Sequence, residues 1–208
     1  AGRPGERILP AHRLDRETSG VLLLSFTSEA DRNVKIQFEQ RDTVTKRYVA
    51  IAWGRAEKPK FLVSKRLMLD PDAKYKVKMR IASEGEGLSA ATECEVVGVR
   101  QNLATGRVYS MIRMNLLTGR QHQIRLHLAS VGLPIVGDKL YGPDDGLFAR
   151  GVDECLTDED RSLLELPRHA LHAAELGIDH PITGVRLDIR APLPADLAAF
   201  WESLAPAD

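Results

Sequence analysis

An α+β fold, mostly an antiparallel mixed sheet with peripheral helices, is what the 208-residue sequence predicts, on three observations. Strand-like segments rich in β-branched and alternating residues outnumber the helical ones. The helical segments fall between them without regular βαβ alternation. Turn signals separate neighbouring strands closely enough for antiparallel pairing. The first eleven residues, with two glycines and two prolines, are irregular. Residues 21–25 form a buried strand from the run Val21-Leu22-Leu23-Leu24. A short helix follows from Ser28 as N-cap, with Ala30, Val34 and Phe38 at four-residue spacing. Residues 43–54 are a strand ending at Gly54, on which Tyr48 shares a face with Val44, Lys46 and Ala50. In 75–81 Tyr75, Val77, Met79 and Ile81 alternate with Lys76, Lys78 and Arg80, which predicts another strand, with a turn at 84–87. Residues 89–99 and 107–117 form an antiparallel pair joined near "NLATG". The helix with the strongest end signals spans 118–132, with Thr118 and Gln121 in capping-box positions and Gly132 closing it. A short acidic helix at 157–166, strands around 170–178 and in "VRLDIRAP", and a helix in "PADLAAFWESL" complete the order.

Composition narrows the function classes. A hydrophobic fraction of 43% with 28% charged residues is that of a soluble globular chain. No run reaches membrane-span length and no leader pattern opens the sequence. Cys94 and Cys155 stand far apart without a CxxC, which points to a reducing cytoplasm rather than a disulfide framework. Net charge is zero, yet Lys and Arg gather at 45–48, 64–66 and 74–80 while acid gathers at 153–161. One basic face is compatible with that distribution, and so are ordinary solvated surfaces.

Two constellations could carry chemistry. In "AHRLDRETSG" (11–20) one acid, Asp15, stands between Arg13 and Arg16. Positive charge favours the ionised form of a carboxylate and suits it to act as nucleophile or base. An exposed ion-pair cluster explains the same pattern. In "TGRQHQIRLH", helical spacing puts Gln121, His122 and Arg125 on one face, and the free amides of a first turn, reinforced by Arg120 and His122, suit a phosphate. A capped surface helix with solvated arginines is the competing reading. The six histidines lack HExxH or CxxC company, so no metal site is expected, and no P-loop, GxGxxG or GxSxG implies a nucleotide cofactor or a serine nucleophile.

Four stretches in order, "HRLDRETSGVLLL", "KRYVA", "TGRQHQIRLHLASVGLPIVGDKLYG" and "ALHAAEL…HPITG", resemble the RluA-like family of RNA pseudouridine synthases. The resemblance implies a pseudouridine synthase catalytic fold with a central active-site cleft. It implies an isomerase that detaches uracil from ribose and rejoins it through C5, without cofactor or metal. Asp15 matches the family's catalytic aspartate, Tyr48 the tyrosine that stacks on the target base, and Arg125 the basic residue paired with the aspartate. Leu171 falls in the segment forming the apolar wall of the pocket, while Arg13, Arg120 and His122 are candidate RNA contacts, with Arg16 and the 74–80 segment. Arg16 fits an internal salt bridge equally well. The implied partner is a structured ribosomal or transfer RNA, with no membrane, acted on by a cytoplasmic monomer. The expected organisation is a single catalytic domain over 1–208 that lacks the family's usual N-terminal strand segment, whose Lys-Pro motif is not matched by "EKPK" at 57–60, and that has no S4-like domain. A catalytically silent RNA-binding or RNA-folding module on the same scaffold is the alternative. A hydrolase with paired carboxylates is a weaker third, because no second acid lies in a matching motif.

Overall fold

The computed structural model describes residues 8–40 and 42–207. In chain order the elements are β1 (Leu9–Pro10), β2 (Ser19–Gly20), β3 (Leu24–Ser25), α1 (Ser28–Gln40), β4 (Thr45–Trp53), β5 (Lys60–Ser64), β6 (Leu67–Leu69) and β7 (Met79–Ile81). They continue with β8 (Ala91–Gln101), β9 (Val108–Leu116), α2 (Gln123–Ala129), α3 (Leu147–Val152), α4 (Asp158–Leu164), β10 (Leu171–Asp179), β11 (Arg186–Arg190), α5 (Ala195–Glu202) and β12 (Ala205–Pro206). The central sheet runs β11-β10-β4-β9-β8-β12, with β5 also on β8 and β2 also on β10. Every pairing is antiparallel except β2 on β10, where Ser19 faces His172 and Gly20 faces Ala173. The expected α+β class, with a mixed and mostly antiparallel sheet, is the one observed.

β4 is the axis of the molecule. Its second half, Ala50-Ile51-Ala52, is buried on both faces, among Ile112 of β9, Ile124 and Leu128 of α2, and Leu197 of α5. Its first half leaves that core and turns Lys46 and Tyr48 toward a cleft. The neighbouring β8–β9 hairpin closes through a turn in which Asn102 Oδ1 accepts from the N–H groups of Ala104 and Thr105, and Gly106 takes a φ of +71°. The acidic helix forms as α4, with Thr157 and Asp160 in a reciprocal capping box.

Several expectations require correction. Residues 21–25 are not a core strand. Only Leu24–Ser25 pairs, with β1, and Leu22 and Leu24 are 46% and 39% exposed. Leu23 packs over a small cluster of Ala11, Val34 of α1 and Ile178, and the Val21 N–H donates to the Ala173 carbonyl at 2.9 Å. The cap of α1 is Thr27, whose hydroxyl accepts from the N–H of Ala30, not Ser28. In 75–81 only Met79–Ile81 is extended. Its partner β6 offers three residues, beyond which a turn from Tyr75 to Lys78 takes over and Tyr75 packs edge-on against Phe148 at 4.8 Å. The helix expected over 118–132 shrinks to 123–129. His122 adopts a left-handed φ of +54°, and Gln123 Oε1 accepts from both the Thr118 hydroxyl and the Arg120 N–H, holding the preceding loop in its own fold. Residues 1–7, within the irregular opening stretch, lie outside the described residues, as does Arg41 at the end of the first helical segment.

Candidate active site

A cleft of about 340 Å³ opens between the loop joining β1 to β2, the first half of β4, and the segment leading into α2. Clefts that hold small ligands begin at about 300 Å³. Asp15 comes from the first of these parts, Tyr48 from the second and Arg125 from α2, while Leu171 opens β10 at the cleft floor.

Arg125 organises the site. Its side chain is buried and meets Asp138, which is fully buried, through two bonds: Nε to Oδ2 at 2.7 Å and Nη2 to Oδ1 at 2.8 Å. Burial pushes the Asp138 carboxyl up, but the Arg125 bonds and charge outweigh it and hold the group at about 2. Asp138 Oδ1 also accepts the N–H groups of Leu140 and Tyr141. With two of its nitrogens fixed, Arg125 presents the third, Nη1, to Asp15 Oδ2 at 3.1 Å. A guanidinium carries its donors in a rigid plane, so anchoring one edge aims the other.

The loop carrying Asp15 is fastened independently. The N–H of Thr18 donates to the Asp15 carbonyl at 2.9 Å, closing a turn. Gly20, with φ +117°, lies so close to β10 that a Cβ would stand 2.1 Å from the Ala173 carbonyl oxygen. Glycine is required there on both counts. Glu17 accepts from Lys139 Nζ at 2.7 Å and from the His169 N–H at 3.3 Å, and the Thr18 hydroxyl lies 2.8 Å from His169 Nε2. Burial, helped by the charge of Arg125, pushes the His169 imidazole down to about 4, so it stands neutral in this network.

Tyr48 projects into the cleft from β4, flanked by Ala173 of β10 and Met114 of β9. Burial first, and the charge of Asp15 second, raise its phenol to about 12. It offers a neutral ring at any ordinary pH. His122 lines the same cleft with its Nε2 4.0 Å from Asp15 Oδ2. Arg13 and Arg120 stand at the mouth. Arg13 is exposed, and Arg120 Nε donates to the Ser89 carbonyl at 3.2 Å. Neither Arg13 nor Arg16 enters an ion pair among the described residues.

Asp15, Tyr48, Arg125, Leu171, Arg13, Arg120 and His122 therefore border one cleft, whereas Arg16 and the 74–80 segment do not line it, and the helical-face argument for Gln121, His122 and Arg125 does not describe the arrangement. Only Arg125 of the three lies on α2. Gln121 is exposed and its amide donates to the Val77 carbonyl. A seven-residue helix behind a left-handed His122 offers no first turn of the expected kind for a phosphate. Residue-level reading missed Asp138, Glu17, His169, Gly20 and Tyr141. Among the described residues, no three His, Cys, Asp or Glu side chains are grouped so as to hold a metal ion.

The comparisons agree with this architecture. A family model described as RNA pseudouridylate synthase matches residues 2–130. The dual-specificity RNA pseudouridine synthase RluA of Pasteurella multocida is 36% identical over 183 residues, covering 88% of this chain and 72% of that protein. The ribosomal large subunit pseudouridine synthase D of Nitrosomonas europaea is 34% identical over 93% of this chain, which spans only 50% of its length. Among solved structures, human RNA pseudouridylate synthase domain containing 1 superposes with a TM-score of 0.76 over 97% of this chain and 75% of its own, at 25% identity. Two independent kinds of likeness, in sequence and in backbone, thus converge on one cleft-bearing fold, and the chain belongs to the RluA-like RNA pseudouridylate synthases, isomerases that act on RNA.

Proposed function

We propose that this chain isomerises a specific uridine in a structured ribosomal or transfer RNA and that Asp15 is the reacting carboxylate. The observation that carries the reading is the 3.1 Å contact of Arg125 Nη1 with Asp15 Oδ2, beside Tyr48 in a cleft open to solvent. The target nucleotide leaves its stack, at a cost of a few kcal/mol. The Tyr48 ring returns about 1–3 kcal/mol of that by stacking on the uracil. Leu171 closes the apolar side of the pocket. The bond from ribose C1′ to N1 breaks and one from C1′ to C5 forms. The proton lost at C5 is balanced by one gained at N1, so the reaction is a rearrangement that consumes no co-substrate. Arg125 aims Asp15 and keeps its carboxylate paired, and a nucleotide seated in the cleft displaces water from it, where the ionic contact is stronger than in bulk. Arg13, Arg120 and His122 meet the substrate around the cleft, the arginines through the phosphate backbone that supplies most of the affinity.

The name of one relative gives a ribosomal large subunit target and that of the other a dual specificity, which supports a ribosomal target for this chain, while the transfer RNA alternative rests on the family resemblance. The same reading takes the chain as a single catalytic domain acting as a monomer, with Asp15, Tyr48 and Arg125 meeting in one cleft of one protomer. Two free cysteines, one of them exposed, suit the cytoplasm. The test is Asp15→Asn. Conversion of uridine in total cellular RNA is expected to vanish while RNA affinity changes by less than about threefold, since the substitution keeps shape and removes only charge. A variant that still converts uridine overturns the assignment. Mapping pseudouridines in cells with and without the gene identifies the RNA.

A further inference from the structure

Tyr141 connects the cleft to the β6–β7 hairpin. Its hydroxyl oxygen accepts the N–H of Met79, the first residue of β7, at 2.8 Å, and lies 2.9 Å from Nδ1 of His122. Its ring meets His122 edge-on with centroids 5.6 Å apart, and Arg125 stands over it at 5.1 Å. Asp138 Oδ1 accepts its N–H at 3.0 Å, from the same oxygen that Arg125 Nη2 reaches. The phenol is thus held on three sides.

A phenol has one proton to give. The Met79 N–H uses the oxygen as an acceptor, so the hydroxyl proton goes to the acceptor within reach, Nδ1 of His122. Burial, with the charge of Arg125 added, lowers the His122 pKa, so the ring carries one proton. Nδ1 being occupied as an acceptor, that proton sits on Nε2, the nitrogen 4.0 Å from Asp15 Oδ2. The opposite tautomer would turn a lone pair toward a carboxylate and leave the hydroxyl proton of Tyr141 without that acceptor. Electrostatics and hydrogen-bond accounting select the same form.

We infer that Tyr141 is a positioning residue, which fixes His122 as the Nε2–H tautomer and aims that N–H into the space beside Asp15 when the β6–β7 hairpin is docked. The distance of 4.0 Å is too long for a direct bond. It leaves the N–H for an acceptor atom of the flipped nucleotide, a uracil carbonyl or a ribose hydroxyl. The hairpin, which carries Lys74, Lys76 and Lys78 in its connecting segment, is thereby linked to the reacting centre through two hydrogen bonds, Met79 N–H to Tyr141 and Tyr141 to His122. This inference rests on Asp15 as the reacting group.

Tyr141→Phe keeps the ring and removes the hydroxyl. In the wild-type protein, nitrogen-15 shifts of His122 are expected to show a protonated Nε2 and an unprotonated Nδ1. In the variant the two tautomers mix, and kcat on an RNA substrate falls about tenfold, the equivalent of one hydrogen bond, with KM changed by less than about threefold. A purely structural role for Tyr141 would lower the melting temperature without altering the His122 tautomer. A wild-type spectrum with the proton on Nδ1 overturns the inference, as does a folded variant with unchanged tautomer and kcat. If the variant fails to fold, the wild-type spectrum alone decides. A wild-type protein that converts no uridine overturns the reading of Asp15 instead, and leaves the tautomer to be judged by its own signal.

Discussion

Two arginines hold the same stretch of chain by the same arrangement. Arg125 grips Asp138 with Nε and Nη2 and gives Nη1 to the side chain of Asp15. Arg168 grips Asp196 with Nε and Nη2, at 2.7 and 3.0 Å, and gives Nη1 to the carbonyl of Glu17 at 3.1 Å. What differs is solvent. The side chains of the inner pair are 8% and 0% exposed, those of the outer pair 20% and 40%. Water can replace either partner of the outer pair, but an inner partner left alone is a stranded charge. The inner fork therefore fixes an orientation, and the outer one adds a strut that can be lost.

The sharpest way to break this contrast is Asp138→Asn. It is expected to cost about 3–5 kcal/mol of unfolding free energy, because it removes the fully buried partner of Arg125 and leaves the guanidinium only the part-exposed Asp15 carboxylate. Activity should fall by at least about 10²-fold as the aim of Nη1 on Asp15 is lost. Denaturant midpoints and single-turnover rates measure the two effects. Adding Arg125→Met removes the stranded charge while the new amide oxygen still accepts from Leu140 and Tyr141. More than half of the lost stability should return with no activity, and a double variant no more stable than Asp138→Asn would disprove the stranded-charge account.

Acid titration sharpens the same contrast. The folded His169 is held near 4 whereas an unfolded histidine titrates near 6.5, so between those values the unfolded chain binds more protons and stability falls as pH drops. His12, His122 and His127 are lowered as well and add to the slope. Asp138 acts in a later window. Its folded value is depressed, so its contribution is complete above about pH 4 and disappears as pH falls toward 2. Melting temperature should decline in two stages, with His169→Gln making the first shallower, since His12, His122 and His127 still contribute to it, and leaving the second. A melting temperature constant from pH 7 to pH 4 would contradict this.

Asp196→Asn is the smallest expected effect. About 0–1 kcal/mol is expected, reduced further by salt, with turnover within about twofold of wild type. A loss as large as that of Asp138→Asn would show that geometry rather than burial decides.

The unequal visibility of the two forks follows from how they are encoded. The strands β4, β8, β9 and β10, the β8–β9 hairpin, the acidic helix α4 and the terminal helix are legible because local periodicity and turn chemistry specify them, whereas β5, β6, α3 and β12 are too short to carry a periodic signal. The run at 21–24 misleads because apolar content alone does not say which surface will cover it. The alternation in 75–81 misleads because a strand needs a partner, and β6 supplies three residues. Asp15, Tyr48 and Arg125 stand out through motifs of the family, whereas local charge around Asp15 points to the wrong arginines. Asp138 passes for a loop acid: its partner is thirteen residues away across a turn, and no periodicity connects them. Tyr141 and Gly20 need coordinates for the same reason.

The parallel contact of β2 with β10 has one more consequence. β11 covers the rim of β10 from Glu175 to Asp179, and Ser19 and Gly20 cover it at His172 and Ala173. The segment that bears Asp15 is thus also the cap on an otherwise open stretch of strand, where unpaired backbone groups invite association with another chain. Lifting that segment would silence the site and uncover a sticky rim in one movement. Loss of catalysis through a defect in this loop and loss of solubility are therefore coupled events, and variants at Gly20 should disappear into aggregates as readily as they lose turnover.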